Sequence, residues 1–209
     1  VIGVLLFQRG YHIFHASVMY SRKIRGAIAF MAAKGEGKST TASIMYNIGY
    51  YFMSDDIMAL SYSDKSVNVQ PGFPYSKLCK EAADVLIDEQ EDLNQMGLNV
   101  NKYGRAMKEQ FTIEPSRLKA LFVLEYGDTL EICPLKGKEA LQKLLPQWYG
   151  ALFTGQLIDL FGRVNHFIQC TQLVKEVPIY KLIRPKSLNE LPKMARIVDE
   201  FIVEGFKKA

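Results

Sequence analysis

The sequence predicts an α/β domain with a mixed central sheet and flanking helices. Three observations predict it. Short runs rich in β-formers alternate with segments of helical spacing along 209 residues. A glycine-bearing loop, Ala32 to Thr40, stands between an apolar strand and a helix. Hydrophobic residues make up 48% of the chain and charged residues 23%, a balance that builds a core rather than a disordered polymer. The expectation is one domain over 1–209 with a helical C-terminal segment over about 137–209. The chain opens on Val1 rather than Met, and is expected to be the truncated form of a longer N-terminus.

Residues 1 to 9 read as the end of a helix stopped by Gly10. Tyr11 to Tyr20 and Lys23 to Ala32 read as strands joined by a charged turn at Ser21 to Lys23. A helix follows from Lys38 to about Asn47, closed by Gly49. Tyr50 to Ser54 is a short apolar strand that ends in Asp55-Asp56. Ile57 to Tyr62 and Ser66 to Gln70 read as strands around a turn, and Pro71 to Pro74 as a further turn. Lys77 to Ile87 has helical spacing. Asp88 to Arg105 is polar and irregular, and reads as a loop with a short helix. Leu118 to Glu125 is a strong strand that turns at Gly127-Asp128 into Thr129 to Cys133, as a hairpin. Gly137 to Leu145 is a helix stopped by Pro146. Trp148 to Val174 is largely helical, with Tyr149, Phe153, Phe161 and Phe167 read as core or as a peptide groove. Val177 to Ile183 is a strand. Ser187 to Phe206 is an amphipathic helix with Ser187 and Glu190 as a capping box and Pro192 in its first turn.

The loop carries the first chemistry. In Ala32-Ala33-Lys34-Gly35-Glu36-Gly37-Lys38-Ser39-Thr40, Gly35 and Gly37 let the backbone curl so that successive N–H groups face one phosphate. The helix that begins near Lys38 adds free N–H groups and the positive end of its dipole. Lys38 reaches the β- and γ-phosphates, and Ser39 offers a hydroxyl to Mg²⁺. This is the Walker A pattern, with Ala32 where the first glycine usually stands. The plain structural reading is a glycine-rich turn with a chance Lys-Ser; the flanking strand and helix favour the phosphate.

Asp55 and Asp56 end the next strand, at the sheet edge where the loop lies. One carboxylate there can sit behind a Mg²⁺ shell while the other takes a proton from an attacking hydroxyl. A solvated acidic turn is the plain alternative. His15, read alone, is a packed strand histidine. Lys102 and Arg105 are candidate phosphate contacts, weighed evenly against an exposed loop. Glu125, at the end of an apolar strand, reads as an ordinary strand-end carboxylate.

Together, His15-Ala16-Ser17, Ala27 to Phe30, Gly35 to Thr40, Gly49-Tyr50 and Ser54-Asp55-Asp56 resemble the catalytic domain of HPr kinase/phosphorylase. They are similar too to the smaller HPr kinase-related proteins, including kinases of lasso-peptide clusters. The motif-bearing resemblance covers residues 10 to about 75 and continues through Lys102-Tyr103 and Leu118 to Leu124. It implies a P-loop kinase fold of the HPr kinase/phosphoenolpyruvate carboxykinase type. It also implies ATP and Mg²⁺ as cofactors, with Lys38 and Ser39 on phosphate and metal. Asp55 would assist the metal, Asp56 would be the base for a substrate serine, and His15 would lie near the transferred phosphate. The downstream glycine-rich segment that the full enzyme uses for phosphorolysis has no counterpart here, so that reaction is not implied.

The expected function is ATP-dependent phosphorylation of a serine hydroxyl on a protein or peptide. The rivals are a carboxykinase-like enzyme acting on a small metabolite, and a nucleotide-binding regulatory protein that has lost catalysis. A net charge of +4 suits a polyanionic ligand, but no basic run is dense enough for nucleic acid. No apolar run reaches the length of a membrane span. Related enzymes can be oligomeric, so a homo-oligomer is a state the resemblance allows. Cys79, Cys133 and Cys170 lie far apart and read as free thiols in a reducing, cytoplasmic setting. With them, His12, His15 and His166 show no metal-ligand spacing.

Overall fold

A computed structural model describes residues 2–64, 66–87, 94–95, 102–148 and 160–207. The N-terminal helix α1 (Ile2–Gln8) leads into β1 (His12–Phe14) and β2 (Ala16–Ser21). These are followed by β3 (Gly26–Met31), α2 (Lys38–Asn47), β4 (Tyr51–Ser54), β5 (Met58–Ser63) and β6 (Ser66–Gln70). Next come β7 (Tyr75–Cys79), α3 (Lys80–Leu86), β8 (Asn94–Gln95) and β9 (Lys102–Ala106). The chain closes with β10 (Ser116–Tyr126), β11 (Glu131–Leu135), α4 (Gly137–Leu144), α5 (Leu160–Glu176), β12 (Ile179–Arg184) and α6 (Leu191–Lys207).

The main sheet is mixed and runs β1-β5-β6-β10-β3-β2-β4, with β12 beside β10 and β11 beside β12. β10 is its axis. Ser116 and Arg117 pair with β6, and the rest of the strand runs parallel to both β3 and β12. β3 shows why the sheet is covered on both sides. All six of its residues are buried, with Ile28 and Phe30 in one apolar cluster and Ala27, Ala29 and Met31 in the other. The first cluster packs α2 and α6 against the sheet, and the second packs α4 and α5. Phe30, Phe122 and Tyr180 stack across three adjacent strands, with centroids 5.7 and 5.4 Å apart. Among the described residues no helix is long and apolar enough to cross a membrane.

Tyr11 to Tyr20, expected as one strand, is broken at residue 15 into β1 and β2. The chain leaves β1, which pairs with β5, and enters β2, which pairs with β3 and β4. His15 stands at that crossing. The same crossing recurs after β4, where Asp55 to Ile57 carry the chain back to β5.

Five local expectations are corrected. Lys77 to Cys79 belong to β7, where burial alternates with period two, and the helix starts only at Lys80. Lys102 to Arg105 form β9 in a small antiparallel sheet rather than a loop; Asp88 to the residue before Asn94 lies outside the described residues. β10 and β11 are not hairpin partners, because β12 pairs with both. The Gly127 turn is present, but the edge of β10 is taken by the apolar strand β12, and the Gly127 N–H bonds Arg184 O at 3.0 Å. Ser187 makes no side-chain cap; a 3-10 turn over Leu188–Glu190 precedes α6, and Glu190 pairs with Lys193 instead. In α5, Phe167 is half exposed rather than core, and Tyr149 and Phe153 lie outside the described residues.

Two glycines test this packing in opposite directions. A Cβ at Gly104 of β9 would overlap the Tyr75 phenol on β7, so Gly104→Ala should cost about 1–3 kcal/mol as the ring is displaced. A Cβ at Gly205 in α6 meets nothing, so Gly205→Ala should stabilise by up to about 1 kcal/mol through helix propensity. Thermal unfolding of the two variants measures both.

Candidate functional site

The loop between β3 and α2 has the backbone its glycines require. Gly35 and Gly37 have φ of +89° and +78°, a region closed to most side chains. The Ala33 N–H donates to Glu36 Oε2 at 3.0 Å, so a carboxylate occupies one of the loop's inward amides. Lys38 Nζ folds back onto the loop, donating to Ala32 O at 2.9 Å and Ala33 O at 3.1 Å. Its ammonium is buried, and burial lowers its pKa while the Asp55 and Asp56 carboxylates oppose that shift. Lys34, Glu36 and Ser39 lie on the open side of the loop and first turn, while the Thr40 and Thr41 side chains turn inward.

Asp55 is the junction of the site. Its Oδ1 accepts from Ser17 Oγ at 2.5 Å and from Ser39 Oγ at 3.0 Å. Its Oδ2 accepts from Ser76 Oγ at 2.8 Å and from the Lys77 N–H at 3.1 Å. Four donors from β2, α2 and β7 therefore fill the four lone-pair positions of one carboxylate. Asp56 turns the other way. Its Oδ2 accepts from Lys77 Nζ at 2.7 Å, and its Oδ1 lies 3.4 Å from His15 Nε2. The hydrogen bond from His15, then the Lys77 ammonium, hold the Asp56 carboxyl far below the usual range, against the opposing effect of burial. Asp56 is thus an ionised carboxylate with about a third of its side chain exposed. It also sits at φ +67°, a left-handed position that Asp and Asn tolerate better than most residues.

The structure brings His15, Lys38, Ser39, Asp55 and Asp56 together. It sets Lys102 and Arg105 differently from each other. Lys102 is exposed at the start of β9, close enough to Lys38 to oppose its charge. Arg105 is buried, across from Ser76 in the β7–β9 pair, with its guanidinium 5.1 Å from the Tyr46 ring of α2. Glu125 pairs with Lys143 at 2.6 Å, in keeping with an ordinary strand-end carboxylate.

Sequence reasoning missed Ser17, Ser76, Lys77 and Arg184. Lys77 was hidden by helical spacing; the alternation Ser76, Leu78 inward and Lys77 outward was the signal for a strand. Arg184, at the end of β12, donates to Glu36 O at 2.9 Å and lies over the Tyr126 ring at 4.9 Å. It braces the phosphate loop from a strand far away in sequence. The statement that histidines and cysteines do not combine is also corrected: His12, His166 and Cys170 meet in the core, their ligand atoms within 4.8 Å of one another.

No family model matches the chain, and no curated protein does. Among solved structures the chain is similar to the Hpr(Ser) kinase/phosphatase from Coxiella burnetii. That likeness covers 92% of this chain and 97% of the other, at 10% identity and a TM-score of 0.47. At that level it says nothing of chemistry, which rests on the side chains above.

Two outcomes follow. Gly37→Ala forces a side chain into a left-handed position and into the Arg184 guanidinium, so it should weaken any nucleotide binding at this loop while the domain stays folded. Calorimetry with Mg-ATP beside circular dichroism reads both. The second concerns pH. A depressed carboxyl pKa adds stability that is full above the unfolded value, about 4, and is lost as pH falls from there through the folded value. Asp56→Asn removes that contribution without a backbone conflict. The difference in Tm between wild type and variant should therefore hold steady from neutral pH to about 5 and shrink only below about 4.

Proposed function

We propose that this chain is an ATP-dependent kinase that phosphorylates a serine hydroxyl on a protein or peptide. The observation that carries the reading is the Ser39 to Asp55 hydrogen bond, 3.0 Å, which joins the phosphate loop to the strand end bearing Asp56. Two parts of a phosphoryl-transfer site, a phosphate cradle and an ionised acceptor for a hydroxyl, are thereby fixed to each other.

The donor set fits Mg²⁺ with ATP. Ser39 gives its proton to Asp55, which leaves an oxygen lone pair free for a metal ion, and Asp55 holds it from behind. Mg²⁺ at that place would supply charge neutralisation at the β- and γ-phosphates. Lys38 leaves its loop carbonyls for the same phosphates, and Glu36 must release the Ala33 N–H to them. Lys77 and Lys102 are further cations on that side.

In the reaction the serine oxygen attacks the γ-phosphorus, the bond to the bridging oxygen breaks, and ADP leaves. The hydroxyl proton passes to Asp56. A carboxylate held by His15 and Lys77 is a weak base, which suits a loose transition state in which the proton leaves late. Beside Asp56 lies a cleft of about 440 Å³ whose walls include Ile2, Leu6, Ile57, Phe73 and Tyr75. Apolar walls and the exposed Phe73 favour a protein or peptide acceptor over a small anionic metabolite.

Transfer of labelled γ-phosphate to candidate proteins and peptides, with ATP affinity measured in parallel, tests the proposal. Asp56→Asn should keep ATP affinity and slow transfer by roughly 10²- to 10⁴-fold. Asp55→Asn should lose Mg²⁺-dependent affinity as well, because its amide nitrogen cannot accept and one pair of donors, Ser17 with Ser39 or Ser76 with the Lys77 N–H, loses its acceptor. Full activity in Asp56→Asn would refute the mechanism. Turnover of a small metabolite without transfer to any protein would shift the function to the carboxykinase-like rival, and ATP binding without any transfer would shift it to the regulatory one.

A further inference from the structure

Away from the phosphate site, one cluster of metal-ligating side chains is buried in the core. His12 lies on β1, while His166 and Cys170 lie one turn apart on α5. They are 1%, 5% and 0% exposed, and their ligand atoms fall within 4.8 Å of one another. His12 Nε2 is 2.8 Å from His166 Nδ1, and Cys170 Sγ is 3.8 Å from that same Nδ1 and 3.6 Å from His166 Nε2. We propose that His12 Nε2, His166 Nδ1 and Cys170 Sγ hold one thiophilic d¹⁰ metal ion, Zn²⁺ or Cu⁺, which fastens α5 to β1.

The partners behind these groups carry the argument. The outer nitrogen of His166, Nε2, faces Leu145 O at 3.2 Å, and a carbonyl can only accept. His166 therefore carries its proton on Nε2 and turns a lone pair inward from Nδ1. The outer nitrogen of His12, Nδ1, faces the Tyr62 hydroxyl at 2.6 Å, and that hydroxyl also reaches Gln169 O at 3.2 Å. With the Tyr62 proton on Gln169 O, His12 donates from Nδ1 and turns a second lone pair inward. Two lone pairs and a thiolate then converge, with each imidazole oriented by an oxygen behind it, the usual outer arrangement of metal-bound histidine. Without an ion, Tyr62 donates to His12 Nδ1 and His12 Nε2–H donates to His166 Nδ1. The change between the two states is one tautomer of His12 and one rotation of the Tyr62 hydroxyl. Only the Cys170 proton leaves, to solvent, as the ion binds.

The distances are near those of a tetrahedral site. Ordinary metal–nitrogen and metal–sulfur bonds put the ligands about 3.3 Å (N to N) and 3.6 Å (N to S) apart. The two imidazoles must part by about half an ångström, and the sulfur, which lies beside the His166 ring about equally far from both its nitrogens, must turn towards the Nδ1 lone pair. Two imidazoles and one thiolate carry a single negative charge. Cu⁺ makes the set neutral in its apolar setting beside Phe14 and Trp148, whereas Zn²⁺ leaves a positive charge and takes a fourth ligand. The site adjoins His15, since β1 runs into it and the His15 N–H bonds Gln147 O at 3.3 Å. The inference is independent of the kinase reading.

The full chain is refolded with one equivalent of Zn²⁺, or of Cu⁺ under anaerobic reducing conditions, then desalted and its metal counted by mass spectrometry. Co²⁺ in place of Zn²⁺ reads thiolate ligation through its sulfur-to-metal absorption band. The chain's single tryptophan, Trp148, stacks on His166 at 4.7 Å, so Co²⁺ should also quench its fluorescence. We expect one ion per chain, and competition between the two ions tells which is preferred. Cys170→Ser should lose the band and more than 100-fold in affinity, and Tyr62→Phe about 10- to 100-fold. Cys79→Ser, at an exposed thiol, should change neither. A folded wild-type chain that retains neither ion, or that gives no cobalt–thiolate band, overturns the proposal. So does unchanged affinity in Cys170→Ser; if that variant does not fold, the wild-type band alone decides.

Discussion

The site depends on a single carboxylate. Asp55 accepts from Ser17, Ser39, Ser76 and the Lys77 N–H, and so ties β2, α2 and β7 to the end of β4. Ser17 and Ser76 are fully buried, so removing their acceptor leaves two donors without solvent, at about 1–3 kcal/mol each. The same four bonds hold the carboxylate near Lys38, whose ammonium is buried and is favoured there by the neighbouring Asp55 and Asp56 carboxylates. The Gly35–Ser39 loop, Asp56 and the small sheet are thus in register because one side chain is shared.

The behaviour of Asp56 follows from that constraint. With Asp55 drawn inward, the chain must turn at once to reach β5, and Asp56 takes φ +67°. Such a conformation persists where the surroundings over-determine it, and here the anchored residue before it does so. The turn carries Asp56 out to Lys77 and His15, away from the four donors. Two adjacent carboxylates thereby have separate partners and separate surroundings: one saturated by its donors, the other about a third exposed. His15 is available to it because the chain crosses between the two wings of the sheet at that residue.

Features encoded locally were legible in the sequence. The loop Gly35 to Ser39 declares itself through residue types at fixed offsets, and its context needs only the strand before and the helix after. Asp55 and Asp56 follow from the length of one βαβ-like step. What sequence reading missed depends on distant chain. Lys77 carried a local strand alternation that helical spacing masked, and the pairing of β9 with β7 settles it; Arg184 is recognisable only once β12 is known to lie between β10 and β11. The expected hairpin failed for the same reason: a turn signal reports that the chain reverses, not which strand takes the vacant edge. His166 and Cys170 do carry a local signal, the i,i+4 spacing of one helix face, but their partner His12 is 154 residues away.

The central claim is that Asp55 fixes the phosphate cradle to the strand end that carries Asp56. A crystal structure with Mg²⁺ and a non-hydrolysable ATP analogue tests it most directly. The account predicts phosphates on the amides of residues 33–39, with Lys38 drawn off its carbonyls, Glu36 displaced from the Ala33 N–H and the Ser39 hydroxyl on the metal. Asp55 should still hold Ser39, and Asp56 should face the γ-phosphate across the space for a hydroxyl. A nucleotide whose phosphates lie elsewhere, or a bound state in which Asp55 has released Ser39 and the β7 backbone, would contradict it.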